Sequence, residues 1–246
     1  MHPVYVHIKK ELSPFYAEEE ASAMAKWISS DILHLSTLEL YTGKDMNFST
    51  KEWEELEDIL RRLKQREPLQ YILQEASFCG MSFHVEQGVL IPRPETEELV
   101  EWIISDYREA GQVRILDIGT GSGCIPVSLA QLLPEAQVSS CDVSAEALRI
   151  AAMNIKRYGD KVTLFCADIL KEELPECQVD VLVSNPPYIT ESERTDMEAN
   201  VLDWEPELAL FVPDSDPLRF YRRIAWKGLD WLSEGGALYF EINRAY

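Results

Sequence analysis

What most constrains this chain is an alternation of short apolar runs with helix-length segments that begins at Val113. Val113-Arg114-Ile115-Leu116-Asp117-Ile118 reads as a strand that stops at a cluster of glycines. A helix over Ile125–Leu133 follows, then a strand over Gln137–Cys141, a helix over about Ala145–Tyr158 and a strand over about Lys161–Cys166. Two more strands are expected at Asp180–Ser184 and Gly236–Glu241. Strands that alternate with helices imply a mainly parallel sheet covered on both faces, because each crossover returns the chain to the same end of the sheet. The expected architecture is an α/β, doubly wound, Rossmann-like domain.

The residues before it read differently. From about 11 to 73 the chain is expected to be helical. Ser49-Thr50-Lys51-Glu52 has capping-box spacing, and Trp53, Leu56, Ile59, Leu60 and Leu63 then recur at helical intervals. Ala21, Met24, Ile28 and Ile32 make a similar stripe over Ala17–Leu33. Both stripes fit the core of a small helical domain. From Ser77 to Ile91 the pattern becomes partial alternation through Phe78, Cys79, Met81, Phe83 and Val85, with a turn at Gln87-Gly88 before Val89-Leu90-Ile91. This predicts a hairpin joining two domains. Pro92-Arg93-Pro94 stiffens the chain before a helix over Glu95–Tyr107.

Composition excludes several classes. The five cysteines (Cys79, Cys124, Cys141, Cys166 and Cys177) form no CxxC pair, so neither a disulfide framework nor a zinc site is expected. The four histidines show no ligand spacing, and His84 beside Phe83 reads as structural. No run approaches the ~20 apolar residues of a membrane span, and MHPVYVHIKKELSP lacks the pattern of a secretory signal. A cytoplasmic protein without membrane contact is expected. Its formal net charge of -20 opposes direct nucleic-acid binding. Such acidity either attracts a basic protein surface or only keeps the chain soluble.

Gly119-Thr120-Gly121-Ser122-Gly123 sits at the carboxyl end of the first strand, where open α/β sheets bind ligands. Its spacing is G-x-G-x-G. Cys124 stands where the dinucleotide fingerprint needs its third glycine, which favours S-adenosylmethionine over NAD. Asp142 ends the second strand, where a carboxylate accepts from ribose hydroxyls. Asp168 follows the third strand, placed to accept from the adenine amine, with Ile169 against the purine face. Either carboxylate alone would also serve as a helix cap.

Asn185-Pro186-Pro187-Tyr188 directly follows the strand ending at Ser184. Two prolines stop the strand and hold a rigid turn. The Asn185 side-chain oxygen and the Pro186 carbonyl suit the two hydrogens of one NH2 group, and Tyr188 suits packing against the bound group. An amide nitrogen is a poor nucleophile, so holding it in line with a sulfonium methyl is the main task. Neither a metal nor a covalent nucleophile is needed.

The chain resembles the HemK/PrmC family of protein-(glutamine-N5) methyltransferases from about Leu69 onwards. The resemblance rests on Pro68-Leu69-Gln70-Tyr71, Phe78-Cys79-Gly80, Ile91-Pro92-Arg93-Pro94-Glu95-Thr96-Glu97, Asp117 to Gly123, Asn185-Pro186-Pro187-Tyr188-Ile189 and Glu205-Pro206-Glu207-Leu208-Ala209-Leu210. It implies a class I methyltransferase domain over 93–246, a hairpin linker over 76–92 and a helical substrate-recognition domain over 1–75. It also implies that Gly119 to Gly123, Asp142 and Asn185 contact S-adenosylmethionine, and that Asn185 to Tyr188 hold the glutamine. The implied substrate is the GGQ glutamine of class 1 peptide chain release factors. After Phe240-Glu241-Ile242 the family continues with a glycine, a helix and two strands, whereas this chain has Asn243-Arg244-Ala245-Tyr246, so a C-terminal truncation with an exposed edge strand is expected.

Two other substrates and one other class remain open at this point. An N6-adenine methyltransferase would present an adenine amine to the same motif after base flipping, but would need a basic surface. A glutamine of a ribosomal protein fits the motif equally well. A cofactor-binding module without turnover would bind S-adenosylmethionine and methylate nothing.

Overall fold

The computed structural model describes residues 1–43, 48–171 and 178–245. The chain divides into two compact units, Met1–Leu73 and Gln74–Tyr246.

The first unit is helical: α1 (Pro3–Leu12), α2 (Glu18–Trp27), a π-helical turn over Ile28–Ile32, α3 (Thr37–Thr42), α4 (Thr50–Leu63) and α5 (Leu69–Leu73). Helix α1 starts well before residue 11, with Pro3 in its first turn and the His2 ring accepting from the Val4 amide. A proline costs nothing there, because the first amides of a helix have no partner within it. Ser49 and Glu52 form the capping box at the head of α4. Leu56, Leu60 and Leu63 join Ile8, Leu12 and Ile28 in a fully buried core. Trp53 departs from that stripe. It lies in the first turn of α4, is 39% exposed, and meets Phe48 and His7 edge-on at the margin.

The second unit opens with a hairpin, β1 (Ala76–Phe78) and β2 (Met81–Phe83). Its turn lies at Cys79-Gly80, where both Cys79 (φ 48°) and Gly80 (φ 70°) adopt the left-handed conformation of a two-residue hairpin turn; Gln87-Gly88 forms a turn as expected, but outside the hairpin. Val89-Leu90-Ile91 forms no strand and leads by way of Pro92 and Arg93 into α6 (Pro94–Tyr107). Beyond it come β3 (Arg114–Ile118), α7 (Cys124–Leu132), β4 (Gln137–Asp142), α8 (Ala145–Arg157), β5 (Val162–Cys166) and β6 (Val179–Ser184). The chain then forms β7 (Ile189–Thr190), a 3-10 turn over Glu191–Asp196, α9 (Ala199–Trp204), α10 (Glu207–Leu210), β8 (Phe211–Val212), α11 (Arg219–Trp231) and β9 (Leu232–Phe240).

Five strands form one parallel sheet in the order β5-β4-β3-β6-β9. One face is covered through Val100, Ile103, Ile125 and Leu129 of α6 and α7, and the other through Ile224 and Trp231 of α11. Helix α11 escapes a simple apolar-run reading because its aromatic and basic residues share one turn. The chain leaves β3 toward β4 on one side and leaves β6 toward β9 on the other. The order therefore reverses between β3 and β6, and a crevice opens at their carboxyl ends. Among the described residues no helix is long and apolar enough to cross a membrane. Among the described residues Cys79, Cys124, Cys141 and Cys166 form no disulfide, and Cys177 lies outside them.

Candidate active site

Register dictates what meets at the crevice. Ile118 at the end of β3 pairs with Ser184 at the end of β6, so the residues that follow them, Gly119 and Asn185, emerge side by side. A Cβ on Gly119 would lie 4.0 Å from the Asn185 carbonyl oxygen. The glycine loop and the NPPY turn, 66 residues apart in sequence at the Ser184 hydroxyl's bond to the Ile118 carbonyl (2.7 Å), share one wall.

A cavity of about 430 Å³ opens there. Gly119, Thr120, Gly121, Ser122, Asp142, Asp168, Ile169, Asn185, Pro186 and Pro187 all line it. Asp142 does two jobs locally: one carboxylate oxygen accepts from the Gly121 amide at 3.0 Å and the other from the Ser144 amide at 2.9 Å. Burial raises its pKa, opposed by those amide bonds. Asp168 accepts from the Leu170 amide (2.9 Å) and pairs with Lys171 at 3.2 Å. The Arg223 guanidinium donates to the Ile169 carbonyl at 2.9 Å, which fixes the segment carrying Ile169.

Two of the residues singled out from sequence stand outside the lining. Gly123 caps α7 at φ 82°, where an added Cβ would press on Ala151 of α8 at 3.2 Å. Its missing side chain therefore serves helix packing. Tyr188 turns away and donates its hydroxyl to Glu241 at 2.9 Å. Burial, then the Glu241 carboxylate, pushes this phenol far above its usual range, so it remains a donor.

Several supporting residues escaped the sequence reading. Asn154, fully buried on α8, donates to the carbonyls of Ser122 (2.8 Å) and His84 (2.9 Å) and accepts from the His84 amide at 2.8 Å. It ties the glycine loop to the segment after the hairpin. Thr96, buried in the first turn of α6, accepts from the Asn185 side-chain amide at 3.1 Å and donates to Glu241 at 2.6 Å. Arg93 pairs with Glu205, whose other oxygen accepts from the Ile91 amide. Glu97 accepts from the Cys79 amide at 3.0 Å, anchoring the hairpin turn to α6. Thr96, Glu97 and Glu205 lie in the PRPETE and EPELAL stretches, which was the signal available; Asn154 had none, being one polar residue on an amphipathic helix.

A parallel sheet with this strand order, a glycine loop after its first strand and an NPPY turn across the switch point define a Rossmann-like class I methyltransferase domain. Residues 96–203 match the family described as Methyltransferase small domain, and residues 5–73 match the PrmC N-terminal domain. Along its whole length the chain is 51% identical to the release factor glutamine methyltransferase of Bacteroides thetaiotaomicron, covering 88% of that protein. It is 42% identical to that of Flavobacterium psychrophilum over 95% of this chain and 83% of the relative. A third similarity, to that of Streptococcus pneumoniae, is 40% over 92% of this chain and 79% of the relative. The chain belongs to the release factor glutamine methyltransferase family, the HemK/PrmC family.

Proposed function

We propose that this protein transfers the methyl group of S-adenosylmethionine to the side-chain amide nitrogen of the GGQ glutamine of class 1 release factors. The single observation that carries the reading is the adjacency of Gly119 and Asn185 in one cavity, which supports reading the glycine loop as the cofactor loop and the NPPY turn as the one that holds the amide. The names of the relatives, all release factor glutamine methyltransferases, supply the substrate class.

The cavity fits the cofactor on chemical grounds. Gly121 offers open space where a Cβ would stand, letting a ligand approach the backbone. Asp142 and Asp168 place carboxylates at the ends of neighbouring strands, suited to ribose hydroxyls and the adenine amine, and Ile169 supplies an apolar face for the purine. S-adenosylmethionine supplies an electrophilic methyl on a sulfonium. Asn185 Oδ1 and the Pro186 carbonyl then accept from the NH2 of the substrate, orienting its nitrogen and stabilising the positive charge that develops on it. Pro187 keeps the turn from relaxing, while Gly123 and Tyr188 act from behind, through packing and through Glu241.

The helical unit is the part proposed to recognise the release factor, and the acidic surface favours a basic protein partner over nucleic acid. An adenine amine would fit the same two acceptors, but a net charge of -20 opposes a phosphate backbone. Incubation with radiolabelled S-adenosylmethionine and a purified release factor, beside a copy with the GGQ glutamine changed, tests the reading. Label on the first alone is expected. Equal label on both, or label only on nucleic acid, would overturn it. Asn185→Ala should cut turnover by about 10²–10³-fold and leave part of the cofactor binding.

A further inference from the structure

Asparagine's two amide ends are nearly the same size and opposite in hydrogen-bonding sense: one only accepts, the other only donates. A site that must receive an NH2 group works with the oxygen facing in and fails with the nitrogen facing in, because two donors would then oppose each other. Something has to choose between the ends of Asn185.

The choice is readable from three side chains. Thr96 Oγ1 lies 2.6 Å from Glu241 Oε2 and 3.1 Å from Asn185 Nδ2. An ionised carboxylate has only acceptor sites, so the hydrogen in the shorter contact belongs to Thr96. With its one hydrogen committed, the Thr96 oxygen can only accept from Asn185. That holds the NH2 end of Asn185 against Thr96 and leaves Oδ1 for the cavity, where among the described residues none donates to it. The second oxygen of Glu241 accepts from Tyr188, 2.9 Å away, so the carboxylate is held from both sides. Glu241 is itself positioned by the sheet: Ser184 pairs with Phe240, and the Glu241 amide donates to the Ser184 carbonyl at 3.2 Å. It stands one residue past β9, as Asn185 stands one residue past β6. Glu241 does not line the cavity; Thr96 and Asn185 do.

We propose that Glu241 is a positioning residue that fixes, through the Thr96 hydroxyl, which end of the Asn185 amide faces the substrate. The acceptor oxygen that Glu241 offers to Thr96 sets the direction of a two-bond relay, and the relay makes the site an acceptor for an NH2 group. The orientation of Asn185 is a property of the protein alone, whereas its consequence for turnover rests on the glutamine reading above.

Two measurements on the full chain separate these. The first needs no substrate. In nitrogen-15-labelled protein the Asn185 side-chain NH2 signal is identified by its loss in Asn185→Asp, and its proton–proton contacts to the Thr96 side chain are recorded. Strong contacts are expected in the wild type and in Thr96→Ser, which keeps the hydroxyl. In Glu241→Leu, which has no acceptor, these contacts should weaken or split into two environments. Unchanged contacts in a folded Glu241→Leu protein would overturn the proposal. If that variant does not fold, Thr96→Val carries the same test by chemical shift: an Asn185 NH2 signal identical to wild type would overturn it equally. The second measurement is methyl transfer to a release factor. Glu241→Leu should lose about 100-fold in kcat, the scale of a misplaced reacting group, with S-adenosylmethionine affinity within about threefold of wild type. A purely structural role would instead lower cofactor affinity and melting temperature together and spare kcat in the bound fraction. Thr96→Ser should retain most of kcat. A wild type that methylates no release factor while its Asn185 contacts behave as described would refute the substrate reading and support the relay.

Discussion

Arg93 and Glu205, 112 residues apart in sequence, meet with a guanidinium nitrogen 2.5 Å from a carboxylate oxygen whose side chain is only 2% exposed. The pair clamps the segment entering α6 to the residue just ahead of α10. Pro92 and Arg93 on one side, and Pro206, Leu208 and Ala209 on the other, contribute to the wall of the same cavity. Removing the Arg93 guanidinium leaves a buried carboxylate whose remaining donor, among the described residues, is the Ile91 amide. Arg93→Met should therefore destabilise the protein by roughly 3 kcal/mol, the low end for a broken buried pair because Arg93 is itself partly exposed. Urea melts followed by circular dichroism would measure it. A change under about 0.5 kcal/mol would show that the pair contributes nothing net.

Asp142 holds the glycine loop through Gly121 and faces the cavity as well. Asp142→Asn keeps the shape and removes the charge, so either the Gly121 or the Ser144 amide meets an NH2 group. S-adenosylmethionine should bind about 10–100-fold more weakly, the scale of one hydrogen bond to a charged group. Titration calorimetry reads this directly, and kcat at saturating cofactor should fall far less than it does in Asn185→Ala.

Two glycines of the same loop should respond in opposite ways. Gly123→Ala brings a Cβ to 3.2 Å from the Ala151 Cβ at φ 82°. It should cost on the order of 1–2 kcal/mol from the left-handed backbone and more from the displaced helix. Gly121→Ala meets no protein atom within 4 Å, so beyond the backbone strain its Cβ intrudes on the ligand. The ratio of cofactor affinity lost to melting temperature lost should be larger for Gly121→Ala. The reverse ratio would mean that Gly123 is the ligand-facing residue.

Asp117 gives a pH dependence. Burial raises its carboxyl from 3.8 to about 7, opposed by the hydrogen bond from Ser140. Between those values the folded state binds more protons at this residue than the unfolded state does. Its contribution to stability is therefore present in full below about 4 and declines as pH rises toward about 7. Asp117→Asn keeps an acceptor for Ser140 and has nothing to titrate. Melting temperatures from pH 5 to 8 should fall more steeply in the wild type than in the variant, and parallel curves would contradict the assignment.

The fold was legible in sequence wherever periodicity was strong. The strands from Arg114 to Ser184 are short apolar runs with nowhere to go but a covered parallel sheet, and their ends fall within a residue or two of where the pattern places them. The Ser49–Glu52 capping box was legible because it is a local pair of hydrogen bonds. Gln87-Gly88 does form a turn, but which turn joins the hairpin strands is not legible, because a left-handed cysteine leaves no mark in sequence.

By itself, then, the sequence determined the parallel sheet, the glycine loop and the NPPY turn, since each depends on residues adjacent in the chain. Only the tertiary structure decided what stands behind them. That Asn185 reaches Thr96, that Thr96 reaches Glu241 and that Arg93 reaches Glu205 follow from sheet order and register. β6 and β9 are neighbours because the strand order switches sides after β5, adding β6 beyond β3 and β9 beyond β6. Contacts at sequence separations of 89, 145 and 112 residues are fixed by that packing, and no local pattern of residues encodes them.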